Sequence, residues 1–457
     1  MRIRSSLGII ALGVTLVLGP RDSRGAETPR EALTLQEAIA EALRQSPLVA
    51  AADADARAAG SDRDAARGAR LPRVGLEAGL HRTDNQVAAF GDKLLAGQFT
   101  AADFAIDQLN HPDPVNHAGA ALVIEAPLYT AGRLSHRVEA GEAEAGAAAA
   151  RQRGAEADLV LAVTTAYQNL VAAGARVEIA RQALTSAEGQ ERLAEAQAGA
   201  GAALRSDRLR AQVQRLARAM ELEAQQSARS LARTRLALLL GRRQADAESV
   251  AVAASDIEAP PDIQGEGDDL ASWLERSRAG RPEIEEARYA EGAASARAAA
   301  ADADHRPEVA GTARYERNAL GFEDGTGAYF AGVTIRWSAL DAGRGARLEA
   351  ERWRAAASRA RRSAVEDQVA LDVEESWRAG RLASIRAALA REAVGSAEEA
   401  RRIVAERYAA GLQPLTDLLD VEEALLQARL ADVGARLDAS LARARLARTA
   451  GGEETKR

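Results

Sequence analysis

The sequence predicts a mainly α fold of duplicated long-helix coiled-coil repeats, with four β-strands per chain in hairpins compatible with a membrane β-barrel portion. Three observations predict it. The same landmarks recur in the same order in both halves. Proline is missing from long stretches of Ala, Arg, Glu and Leu. Two regions alternate strictly between apolar and other residues.

The duplication comes first, because it sets the architecture before any motif is read. Pro47 and, 25 residues on, Pro72 recur as Pro282 and Pro307. Ala131-Gly132-Arg133 recurs as Ala342-Gly343-Arg344, and Gly201, Asp207 and Leu209 recur as Gly411, Asp417 and Leu419. The repeat unit is thus roughly 210–235 residues, and two similar halves surround an approximate symmetry axis. The predicted boundaries are a signal peptide at 1–26, a first structural repeat at 27–258, a second at 259–451 and a C-terminal tail at 452–457.

At the N-terminus Arg2 and Arg4 precede an apolar run of 12 residues, Leu7 to Leu18, with a cut after Ala26. The run is too short to span a bilayer, so it reads as an export signal; the alternative is an N-terminal anchor. No later segment offers 18 consecutive apolar residues. A mature chain that enters a membrane must therefore do so as a closed β-barrel.

Composition narrows the class. Of 457 residues 47% are hydrophobic, much of that alanine, only 3% are aromatic and 28% are charged. That mixture favours long, closely packed helices over a thick globular core. A net charge of −7 gives no nucleic-acid footprint. There is no cysteine, which excludes disulfides, thiolate chemistry and a lipid-bearing cysteine.

The helices follow from proline. None occurs at 128–259, at 308–413 or after Pro414. Long helices are expected at 133–240 and 343–449, and Gly132 to Gly201 can be one helix about 100 Å long. Apolar positions recur every seven residues at Val163, Leu170, Val177 and Leu184, and again at Leu419, Leu426 and Val433, with Leu430 and Leu437 alongside. That period implies left-handed coiled-coil packing.

The strands follow from alternation. Tyr329, Ala331, Val333, Ile335 and Trp337 interleave with Phe330, Gly332, Thr334 and Arg336. Leu122, Ile124 and Ala126 fall in register with Val333, Ile335 and Trp337, and Val74, Ala78 and Leu80 with Val309, Ala313 and Tyr315. Each repeat therefore contributes a β-hairpin, at 73–128 and 308–337, with strands of about ten residues, enough to cross a bilayer at a tilt. Phe90, Phe99, Phe104, Tyr129, Tyr315, Phe322, Tyr329, Phe330 and Trp337 cluster there, as a membrane-interface girdle would. A soluble sheet capping a coiled coil is the alternative. Four strands cannot close a barrel, so the membrane reading requires oligomerisation. The first hairpin is 24 residues longer than the second, and the excess around 85–118 is expected to form an outward loop.

No catalytic set, cofactor site or phosphate loop emerges. Among the histidines, His111 and His117 of the inserted loop are the ones that could bind a metal, but solvated loop histidines are the expectation. Asp417 and Asp420, three apart on a helix, share a face; in one chain this is a solvated face.

Together these residues resemble the TolC-like outer membrane efflux protein family, over nearly all of the mature chain and in both repeats. The marks are Leu35 to Pro47 as the opening helix, Leu71-Pro72 before the first strand, Pro127-Leu128-Tyr129-Thr130-Ala131-Gly132-Arg133 after the second, and the glycine turns before Asp207 and Asp417. The second repeat departs at Ser338, where the family often has proline, and at Arg306, which replaces leucine. The resemblance implies a homotrimer in outer-membrane lipid, with a 12-stranded barrel and a 12-helix periplasmic tunnel. It also implies a passive exit duct docked to an inner-membrane pump through a periplasmic adaptor (membrane fusion) protein. The residues alone leave a periplasmic adaptor or coiled-coil scaffold as the rival.

The resemblance further assigns a periplasmic constriction. Tyr408, Gly411, Asp417 and Asp420 match the turn and helix that close the family's tunnel, so that three chains give a ring of six carboxylates. It implies that Tyr408 ties the inner helices to their neighbours, with Ser206 and Asp207 as partners. Gln413 stands where the best-known members have an arginine. An uncharged amide leaves the closed state held less firmly, or by other contacts. Gly201 and Gly411 turn one long helix into the next.

Overall fold

The computed structural model describes residues 32–201, 204–253, 257, 269–321 and 325–451. The expected signal peptide at 1–26, the tail at 452–457 and Phe322 lie outside the described residues.

The two halves repeat element by element. The first runs α1 (Leu35–Gln45), α2 (Pro47–Gly68), β1 (Arg73–Thr83), β2 (Val115–Tyr129), α5 (Arg133–Gly199) and α6 (Arg205–Leu239), with α3 (Gln86–Leu95) and α4 (Ile106–Asn110) inserted between its strands. The second runs α7 (Leu270–Gly280), α8 (Pro282–Ala303), β3 (Glu308–Leu320), β4 (Thr326–Arg336), α9 (Arg344–Ala409) and α10 (Leu415–Thr449). Equivalent helices match in length: 11 and 11 residues for α1 and α7, 22 and 22 for α2 and α8, 67 and 66 for α5 and α9, 35 and 35 for α6 and α10. Pro47 and Pro282 each open a helix, where the missing N–H costs nothing. Thr34 and Glu37 close a reciprocal capping box on α1.

The heptad positions form the core. Val163, Leu170, Val433 and Leu437 are buried with Ala38, Ile39, Leu236 and Leu240, joining α1, α5, α6 and α10. Tyr167 closes this cluster and donates its hydroxyl to the Leu33 carbonyl at 3.0 Å. In the second half Trp273, Val373 and Leu446 form a smaller counterpart. No described helix is long and apolar enough to cross a membrane.

The four strands form one antiparallel sheet in the order β1-β2-β3-β4, so the repeats meet where β2 pairs with β3. The sheet is open, with β1 and β4 as its edges. The register puts Val74, Ile124, Ala313 and Ala331 in one cross-strand row and Leu76, Leu122, Tyr315 and Tyr329 in the next. This apolar face is bare: Leu76 is 79% exposed, Tyr329 86% and Val333 66%. The other face carries charge, with Arg314 bonded to Glu77 at 2.9 Å and to Glu316 at 2.8 Å. Thr334 and Arg336 share that charged face, as the alternation predicts; Phe330, exposed on it beside Gly332, is its apolar exception.

The inserted segment does not simply project outward. Asn85 caps α3 by accepting from the Val87 and Ala88 amides at 3.1 Å. Phe90, Phe99 and Phe104 then form an edge-to-face cluster, with ring centroids 4.5 to 6.2 Å apart. Lys93 binds Asp103 at 2.7 Å and, with the Thr100 cap, draws its carboxyl down to about 2. The segment folds back over the charged face, where Thr326 donates its hydroxyl to the Leu95 carbonyl.

Candidate functional site

The residues expected at the constriction meet at the end of the helical bundle farthest along α5 and α9. Two turns build this end. Gly201 and Gly411 both adopt φ +73, and a Cβ on either would meet nothing within 4 Å. Glycine is required there by backbone conformation rather than by space. The Gly411 amide donates to the Tyr408 carbonyl at 3.0 Å and the Leu412 amide to the Arg407 carbonyl at 2.9 Å, which satisfies the last carbonyls of α9.

Beyond each turn a new helix starts, and Asp207 and Asp417 hold the same place in the first turns of α6 and α10. The exposed amides of a helix N-terminus favour a carboxylate there by about 0.3–1 kcal/mol. Asp417 therefore has a helix-starting role irrespective of any pore. Asp420, one turn further, is exposed and has no such role. Among the described residues no lysine or arginine forms an ion pair with Asp417 or Asp420.

A small apolar cluster joins the four helices: Ala194 of α5, Ala211 of α6, Tyr408 of α9, and Leu415 and Leu418 of α10. Ion pairs surround it, Glu191 with Arg215 at 2.6 Å between α5 and α6, Arg401 with Glu422 at 2.9 Å between α9 and α10, and Arg218 with Glu423 between α6 and α10.

Tyr408 is 6% exposed. Burial pushes its phenol pKa up, and the Asp207 carboxylate adds to the shift. Its hydroxyl does not bond Ser206 or Asp207 within the chain; it donates to Gln197 Oε1 at 3.1 Å. The sequence carried no sign of Gln197, one polar residue among many near the end of α5. Gln413 does not reach Asp207 either. Its amide donates to Asp417 Oδ2 at 3.4 Å, four residues on, while its Oε1 is buried without a partner. Asp207 lies 3.5 Å from Arg210 on its own helix. The structure thus brings Tyr408 near Asp207 and Gln413 near Asp417. Nor does it pair His111 with His117: His111 ends α4, and His117 sits on β2 beside His81.

Outer membrane efflux protein is the family that matches, over residues 38–242 and 273–452, a span in each repeat. Solved structures share the fold. VceC from Vibrio cholerae superposes with a TM-score of 0.76 at 22% identity, over 92% of this chain and 96% of that one. CmeC of Campylobacter jejuni gives 0.76 at 14% identity, over 92% and 85%. The open state of Neisseria gonorrhoeae MtrE gives 0.73 at 21% identity, over 92% and 89%. No curated protein matches the chain.

Proposed function

This chain belongs to the outer membrane efflux protein family, and from that we propose that three copies of it close one 12-stranded barrel over a 12-helix tunnel. The protein is an outer-membrane efflux channel of a tripartite system, with a helical tunnel in the periplasm, a transport duct rather than an enzyme. That sets aside the adaptor or scaffold alternative. The repeats at 27–258 and 259–451 are proposed as its structural units, each supplying two strands and two long helices.

The observation that carries the trimer is the open four-stranded sheet, with two unpaired edges and a bare apolar face. Unpaired backbone groups cannot face hydrocarbon, so each edge needs a partner strand. Long-helix residues left exposed by one chain, Val213 at 67% and Met220 at 69% among them, support further chain-to-chain contact. At the bundle end we propose that Asp417 and Asp420 line the narrowest ring. Tyr408, Gln413, Ser206 and Asp207 hold the closed helices, and the turns at Gly201 and Gly411 carry them. A periplasmic adaptor protein and an inner-membrane pump are the proposed partners.

Light scattering of the detergent-extracted protein, corrected for detergent, tests the assembly. The expected mass is three times that of the chain. A monomer that still forms pores in planar bilayers would overturn the trimer.

A further inference from the structure

At the outer end of the sheet lies a cluster that efflux does not use. His81 on β1 and His117 on β2 are register partners, their ring centroids 4.8 Å apart. Asp92 reaches them from α3, with one carboxylate oxygen 2.8 Å from His81 Nε2 and the other 4.0 Å from His117 Nδ1. One ligand atom from each of the three lies within 4.8 Å of the others. Asp92 is 7% exposed and His117 8%, and His117 Nε2 is buried with no hydrogen-bond partner. The His81 side chain is half exposed and leaves an approach from solvent. Gly119 keeps room for the ring: a Cβ there would stand 3.1 Å from His117 Cε1 and 3.0 Å from Asn318 Oδ1.

His81 Nε2 already stands within hydrogen-bond distance of one Asp92 oxygen. The nearly buried His117 ring, however, keeps one nitrogen without any partner and its other nitrogen 4.0 Å from the second Asp92 oxygen, an arrangement of buried polar groups that a shared cation would satisfy. We propose that His81, Asp92 and His117 form a site for a divalent first-row transition ion, and that the ion clasps α3 onto the charged face of the sheet. Two imidazoles and one carboxylate suit Zn²⁺ or Cu²⁺ and not Ca²⁺ or Mg²⁺, which take oxygen ligands. Ligands about 2.0–2.2 Å from a tetrahedral ion stand about 3.3 Å apart, so side-chain movements of up to about 1.5 Å close the set. Water fills the remaining position. The site lies within one chain and does not depend on the trimer.

The test uses tag-free, full-length protein in detergent. Equilibrium dialysis with zinc should find one high-affinity ion per chain, and affinity should fall at least tenfold in His81→Gln, Asp92→Asn and His117→Ala. Copper(II) as the probe should give an electron paramagnetic resonance spectrum with imidazole nitrogen coupling that these histidine variants weaken. Particle mass and circular dichroism check the fold. Should His117→Ala misfold, His81→Gln decides, since its side chain is half exposed. An Asp417→Ala/Asp420→Ala variant should keep the site. Zinc bound equally by parent and the three variants, no high-affinity zinc in the parent, or copper without nitrogen coupling would overturn the proposal.

Discussion

The Tyr408 hydroxyl donates to the Gln197 side-chain oxygen at 3.1 Å and so joins the ends of α9 and α5 across 211 residues of sequence. The bond crosses from the second repeat to the first beside the turns at Gly201 and Gly411. It is a tie inside one chain, and in the proposed gate it would hold α5 and α9 together.

Tyr408→Phe removes that tie without altering charge. A hydrogen bond of this kind contributes about 0.5–1.5 kcal/mol, so the open-to-closed ratio should rise roughly two- to twelvefold. Single-channel recording in planar bilayers measures it. Gln197→Ala should do the same, and an unchanged open probability in both variants would remove Tyr408 from the proposed gate.

Block by a trivalent cation should depend on other residues. Carboxylates drawn into a narrow ring repel one another and hold cations. Asp417→Ala/Asp420→Ala should lose block from the periplasmic side, whereas Tyr408→Phe should keep it. Equal block in the parent and the double variant would show that the constriction lies elsewhere.

The sheet makes a directional prediction about membrane insertion. Val333 is on the bare apolar face and Thr334 on the charged one. An arginine facing lipid near mid-membrane costs about 2–4 kcal/mol, while one facing the lumen costs little. Val333→Arg should therefore lower the assembled protein in outer-membrane fractions more than Thr334→Arg does. Equal amounts would contradict the assigned faces.

Acid stability should depend on Glu283, which opens α8 and accepts from Arg448 at 2.5 Å at the end of α10. Burial pushes its carboxyl up, but the Arg448 guanidinium and the neighbouring Arg281 outweigh burial and leave it below its ordinary value. A lowered folded-state pKa gives stability that is present above the unfolded value of about 4.3 and lost as pH falls through the folded one. Because Glu283 remains about a third exposed, Glu283→Gln should cost only about 1–2 kcal/mol at pH 7. Its unfolding midpoint should then fall less than the parent's between pH 5 and pH 3, as read by circular dichroism at fixed scan rate. Parallel curves would show that the pair contributes nothing.

The large elements were legible because each has a one-dimensional cause. The absence of proline between Pro127 and Pro260 left α5 free to run its 67 residues, and alternation from Tyr329 to Arg336 fixed both faces of β4. What was missed depends on pairing in space. Gln197 gains its meaning only from the Tyr408 hydroxyl. His81 and His117 come together only through strand register, and Asp92 only because α3 folds back over the sheet. The inserted helices had a local signal, the Asn85 cap, that composition alone obscures.

The pairing of β2 with β3 has a kinetic meaning as well. In the proposed trimer six repeats meet around the barrel, and three of those six meetings are made by this intramolecular seam. Because the two strands belong to one chain, the rate at which they meet does not depend on the abundance of the chain. Only the three seams between β4 and another chain's β1 then depend on collision between chains. Assembly becomes a third-order problem instead of a sixth-order one, and each chain exposes two bare edges to the periplasm rather than the four that separate half-length chains would.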